Sequence, residues 1–169
     1  MNNQNANNNL IFIDETNFVY QTNLSGDPIR GYMGSTARQC NIKLNDDTAE
    51  KLKAAGCNVK QTPPHDEDPS YRQCYYIKAN LRYRNRYGQP VKRTPNVYLV
   101  NANGDPVPLD EETVGRIDDI SVKNVKCVLR MWDNGDGMSV DIVTMYVEQD
   151  MSRDPYAEYY RRRKENMEG

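Results

Sequence analysis

The chain is poor in the features that announce catalysis or a membrane. It has one histidine, one tryptophan and two phenylalanines in 169 residues. No apolar run approaches transmembrane length and no signal-peptide core is present, so the expected compartment is the cytosol. There is no nucleophile elbow, no P-loop and no dinucleotide fingerprint. His65, the lone histidine, has no triad partner in view. No cofactor is expected. The four cysteines, Cys40, Cys57, Cys74 and Cys127, are widely spaced with no CxxC. They are expected as reduced, half-buried strand thiols rather than a disulfide frame or a zinc site. Mean hydropathy is low at -0.90. Part of that comes from residues 1–9, which hold six asparagines and no charge. That stretch is expected to be a disordered arm.

The most informative absence is local. Residues 69–104 contain no aspartate or glutamate, yet carry seven Lys/Arg and six of the twelve tyrosines. The whole chain has net charge -2, with 24 acids against 22 bases. Positive charge is therefore concentrated here against the average. Residues 1–68 carry six bases and nine acids, and residues 105–169 carry nine bases and fifteen acids. Acidic flanks around a basic stretch focus the field on one groove.

Within this stretch, residues 72–93 read as one long strand running into a loop. Side chains alternate across a strand. Tyr75, Ile77, Ala79, Leu81 and Tyr83 form a core face. Arg72, Cys74, Tyr76, Lys78, Asn80, Arg82, Arg84 and Arg86 form the other, and Lys92 and Arg93 extend it. A basic face with rings suits single-stranded nucleic acid, cations tracking phosphates while rings take up bases. The plainer alternative is a solvated outer face of an antiparallel sheet. Tyr76 and Tyr83 lie on opposite faces, so Tyr76 is the expected stacking ring and Tyr83 the expected core ring.

The remaining elements follow in order. Residues 10–13 and 18–22 are short β-prone runs, 24–28 is turn chemistry, and 31–36 is a loop. Residues 38–44, opening on Arg38, alternate again, with Cys40, Ile42 and Leu44 on one side and Gln39, Asn41 and Lys43 on the other, a second strand with a wet face. Residues 46–55 predict a helix with Asp46 as N-cap and Gly56 at the left-handed C-terminal position. Residues 96–100 predict a strand, 109–117 a short helix capped by Asp110, and 125–132 with 138–148 a hairpin around 134–137. Val128, Arg130 and Trp132 share a face of that hairpin. Trp132 is expected either to stack or to pack at a barrel end. Asp154-Pro155 starts a last helix with Tyr156, Tyr159 and Tyr160 on one stripe. The absence of β-α-β alternation predicts an all-β fold with two or three short helices. The expected organisation is an arm at 1–9, a domain at 10–150 and a helical tail at 151–169.

In this order the segments resemble the bacteriophage single-stranded DNA-binding proteins of OB-fold type. The resemblance rests on residues 22–26 (TNLSG), Arg38-Gln39-Cys40, Lys51-Leu52, and Gly56 to Lys60 (GCNVK). It continues through Asp66-Glu67-Asp68, the 75–83 strand and Pro95 to Val100 (PNVYLV). Residues 109–118 (LDEETVGRID), Ile120, Asn124-Val125, Arg130 and Thr144 to Glu148 (TMYVE) complete it, over about residues 19–150. The resemblance implies a five-stranded Greek-key barrel binding single-stranded DNA in phage replication and recombination, in the host cytoplasm, with no membrane partner. Some relatives end in an acidic tail, whereas this chain has Arg161-Arg162-Arg163-Lys164. Self-association or contact with replication proteins is expected through the 154–164 helix.

The expected DNA-binding residues are Arg38, Lys43, Arg72, Tyr76, Lys78, Asn80, Arg82, Arg84, Arg86, Lys92, Arg93, Arg130 and Trp132. No catalytic or metal-binding residue is expected. Two alternatives are a metal-dependent nuclease using the acidic loop at 65–68, and a non-catalytic scaffolding β-protein. Consecutive carboxylates in a Pro-bounded loop diverge, which disfavours the nuclease.

Overall fold

A computed structural model describes residues 9–153 together with 159, 162, 163 and 166. The expected arm at 1–9 lies outside the described residues but for its last position. The expected helix at 154–164 lies largely outside them. Eight strands form one sheet: β1 (Leu10–Thr16), β2 (Gln39–Leu44), β3 (Lys60–Gln61), β4 (Tyr75–Asn80), β5 (Asn96–Val100), β6 (Pro106–Leu109), β7 (Val122–Asp133) and β8 (Met138–Gln149). The α-helix α1 (Asp46–Ala54) and short 3₁₀ turns complete it. The class is all-β, as expected. Among the described residues no helix is long and apolar enough to cross a membrane.

Five strands make the frame, in the order β1-β7-β8-β4-β2. The two ends of this path are not joined as paired strands. Instead residues 17–23, just after β1, make isolated bridges to β2 at Phe18↔Ile42 and Asn23↔Gln39. The bonds Val19 N–H to Asn41 O (2.9 Å) and Lys43 N–H to Asn17 O (3.0 Å) run across the same seam. The result is a partly open five-stranded barrel of OB type. β3 adds to β4, β5 to β8, and β6 to β5.

Alternation builds the core. Val125, Cys127, Leu129 and Met131 of β7 face Val140, Ile142, Met145 and Val147 of β8, all buried. Val128 pairs with Thr144 but Leu129 pairs with Ile142, so Val143 is one residue too many. This bulge bends β8 where its other edge changes partner. Asn80 of β4 pairs with Asp141 before it, and β5 pairs with 144–148 after it.

Several local expectations are corrected. The strand expected over 72–86 is regular only over β4, although Leu81 and Tyr83 stay buried beyond it. The cap of α1 is Asn45, whose Oδ1 accepts from Thr48 N–H at 2.8 Å, and not Asp46. Asp46 is the first helical residue, where its charge still favours the dipole. The helix expected at 109–117 is the end of β6, an Asp110-capped turn, and a 3₁₀ turn at Val114–Asp119. Cys40, Cys57 and Cys127 are buried and Cys74 is half-buried, all as free thiols. Burial pushes the Cys127 thiol up to about 12.

β6 carries prolines at 106 and 108, paired with Val100 and Tyr98. In an antiparallel ladder alternate residues turn their N–H outward. Proline has no N–H, so it fits only those outward positions.

The loop leading from β1 to β2 is anchored by Asp118. This buried carboxylate accepts from Thr22 Oγ1 (2.7 Å), Leu24 N–H (2.8 Å) and Ser25 N–H (3.0 Å). Gly115 sits against the same turn, where an added Cβ would come within 2.7 Å of Ser25 Cβ.

Candidate nucleic-acid interface

Register defines one continuous outward face. Partners directly across a ladder point to the same side. Lys43 of β2 and Lys60 of β3 both pair with Tyr76 of β4, so a lysine stands in the ladder on either side of it. Asn41 pairs with Lys78 and Gln39 with Asn80. Asn80 leads across to Asp141 of β8, which pairs with Arg130 of β7. Trp132 pairs with Ser139. Leu10 and Phe12 of β1 continue the face beside Arg130 and Val128. Strands from opposite ends of the sequence thus bring Tyr76, Lys78, Asn80, Arg130 and Trp132 onto one surface.

A groove of about 760 Å³ opens where β8 changes partner. Arg82, Lys92, Arg93, Arg130, Asn96 and Asp141 line it. Arg82 Nε donates to Asp141 Oδ1 at 3.1 Å, and its guanidinium lies 5.4 Å from the Trp132 ring centre. The pair is half exposed, so it is weak and open to competition. Among the described residues Lys43, Lys60, Lys78, Lys92, Arg93 and Arg130 have no ion pair.

A second cluster lies at the Tyr76 end. Tyr20 meets Tyr76 edge to face, with ring centres 5.5 Å apart. Tyr20 is 58% exposed and has φ +65°, a left-handed conformation that costs a bulky residue about 1–2 kcal/mol. Strain at an exposed ring beside lysines marks a position whose direction matters. Sequence reading missed Tyr20, Lys60 and Phe12. Tyr20 sits just past an irregularity in β1 and Lys60 in a two-residue strand, so neither has a periodic neighbourhood to reveal its face. Phe12, 69% exposed, was hidden within an apolar run.

Other expected residues go elsewhere. Arg38 donates to Leu24 O (2.8 Å) and lies 5.5 Å from the Tyr83 ring centre. Arg84 binds Glu111 at 2.7 Å and Gly88 O at 2.9 Å. Both line a separate hollow with Glu111 and Glu112. The Arg84 bond holds the Glu111 carboxyl below its usual range. Arg72 is turned back onto Pro69 O, and Arg86 lies against Tyr87 in its own loop. Tyr83 is core, with its hydroxyl pushed up to about 12 by burial. Trp132 is half-buried; its Nε1 has no hydrogen-bond partner among the described residues, and Arg82 is the cation over its ring.

In the acidic loop, His65 packs on Tyr71 with ring centres 4.1 Å apart. Asp68 Oδ1 accepts from Ser70 N–H (3.0 Å) and Oγ (2.6 Å), which lowers its pKa. Among the described residues no three His, Cys, Asp or Glu are grouped to hold a metal.

No protein-family model matches the chain, and no curated protein does. Solved structures do, among them two of one phage protein. A C-terminal truncation of the single-stranded DNA-binding protein from bacteriophage Enc34 is 13% identical with a TM-score of 0.48, covering 84% of this chain and 87% of that one. At such identity and TM-score the likeness carries no weight for the site. The other, which the chain resembles over 90% of both lengths at 13% identity and a TM-score of 0.47, is the single-stranded DNA-binding protein from bacteriophage Enc34 itself.

Proposed function

We propose that this protein binds single-stranded DNA without strict sequence dependence and without catalysis, as expected for phage DNA replication and recombination in the host cytoplasm. The observation that carries the reading is the composition of one surface. Tyr20, Tyr76 and Trp132 stand on the same outward side as six cations that have no ion pair among the described residues. A merely solvated sheet face needs charge but has no use for a strained, exposed ring braced against a second one. Single strands offer phosphates and unpaired base faces together, which this surface matches. The 154–164 segment, expected from its sequence to be helical, is kept in this reading as the contact for a second copy or a replication protein.

Salt titration tests it. Affinity for a homopolymeric oligonucleotide should fall with log salt, by about 0.7 in slope for each phosphate contact. Lys43→Ala with Lys78→Ala removes two exposed cations and should make the slope shallower by about 1.4. A slope that does not move places the phosphates elsewhere.

Chemical labelling tests the location independently. Cys74 alternates onto the Tyr76 side and is the one half-buried thiol among four. A thiol-specific reagent should modify it first under native conditions. Saturating single-stranded DNA should then slow that modification several-fold, and labelling at an unchanged rate counts against a track over Tyr76.

A further inference from the structure

The geometry points to Asp141 as a base-reading residue that sets which nucleotides the groove prefers; this rests on the single-stranded DNA reading above. Asp141 is out of place on a surface otherwise built of cations. It lies in the groove floor, between Arg130 on β7 and Asn80 on β4, and its side chain is 23% exposed. A carboxylate there repels phosphate. The backbone must therefore keep to the side of Lys92, Arg93 and Arg130, and what passes over Asp141 is the edge of a base.

The carboxylate has room for such an edge. Oδ1 takes the Arg82 Nε–H at 3.1 Å, and no bond to Oδ2 occurs among the described residues. The strand register, rather than the weak Arg82 pair, places the carboxylate in the floor between Arg130 and Asn80, with Arg82 lying between it and the Trp132 ring. A base entering the groove therefore meets a positioned acceptor. Carboxylates accept from the N4 amino group of cytosine. Thymine has the same size and places a carbonyl oxygen, O4, at that position. Oxygen facing carboxylate is repulsive. Asp141 accordingly favours cytosine over thymine, and the discrimination comes as much from rejecting thymine as from holding cytosine.

The test compares dC and dT homopolymers of equal length by fluorescence anisotropy at one salt concentration. The two pyrimidines differ little in ring area, and comparing each variant with wild type cancels their intrinsic stacking. Asp141→Asn keeps the shape and can serve either base, since its amide both accepts and donates. Relative to wild type it should tighten dT binding and leave dC unchanged or weaker, shifting the dC:dT affinity ratio by about fivefold. Arg82→Gln, which keeps the carboxylate, should preserve the dC preference while weakening both oligomers. If Asp141→Asn changes both affinities by the same factor, Asp141 acts through net charge alone and the inference is wrong. A wild-type protein that binds dC and dT with the Asp141→Asn ratio overturns it equally. Failure of the wild type to bind either homopolymer overturns the single-strand reading and takes this inference with it.

Discussion

Tyr76→Ala should weaken binding to a homopolymeric single strand by roughly tenfold or more, because one base stacked on one ring is worth about 1–3 kcal/mol. Tyr20→Ala should do nearly as much. The two losses should not add. The rings brace each other at 5.5 Å, so removing either one frees the other from its direction. The double variant is therefore expected to lose less than the product of the single losses. Neither ring carries charge, so the salt slope should stay that of wild type in all three variants, and that constancy separates lost stacking from a damaged fold. Tyr20→Gly adds a check, since it removes the ring and the backbone strain together. It should bind as poorly as Tyr20→Ala while unfolding at a slightly higher temperature. Single variants within twofold of wild type would remove the rings from the interface.

Asp118→Ala should destabilise the barrel by about 3–4 kcal/mol. It strands the buried Leu24 N–H, the half-buried Ser25 N–H and the Thr22 hydroxyl, each costing about 1–3 kcal/mol when left unpaired, offset in part by removing a buried carboxylate. For a chain of this size that corresponds to roughly 10 °C in melting temperature. Asp118→Asn should recover little. Both oxygens accept in the native turn, and an amide turns an N–H towards one of those donors. Thermal unfolding followed by circular dichroism measures both. A drop of only a degree or two in each would mean that water takes over the turn.

What could be read from residues alone was whatever has a period. The 75–83 stretch alternates, so its core side was legible in the residues and Tyr83 fell to the core as expected, whereas β8 was legible only as a hairpin strand because the bulge at Val143 breaks its period. Partner choice has no such signal. Nothing local says that β8 leaves β4 for β5 at Val143, yet that change opens the groove and collects Arg82, Lys92, Arg93 and Arg130 there. The same blindness explains Arg38 and Arg84. Arg84 belongs on paper to the wet face and Arg38 opens the neighbouring strand, but their partners are Glu111 and Leu24 O, outside their own strands. Asp141 was invisible for the opposite reason. One acid among the many in the second half of the chain gives no hint that it will stand among cations.

The prolines of β6 have a consequence for neighbours rather than for the protein itself. A strand added sideways to a sheet needs donors and acceptors along the edge it joins. With Pro106 and Pro108 at the outward positions, the free side of β6 offers carbonyls and no N–H. The sheet is chemically terminated there. Molecules lined up along one nucleic-acid strand are held at very high local concentration, the condition under which open edges merge. On the proposed single-strand binding, adjacent copies touching at β6 would find no N–H donors there with which to knit into a shared sheet.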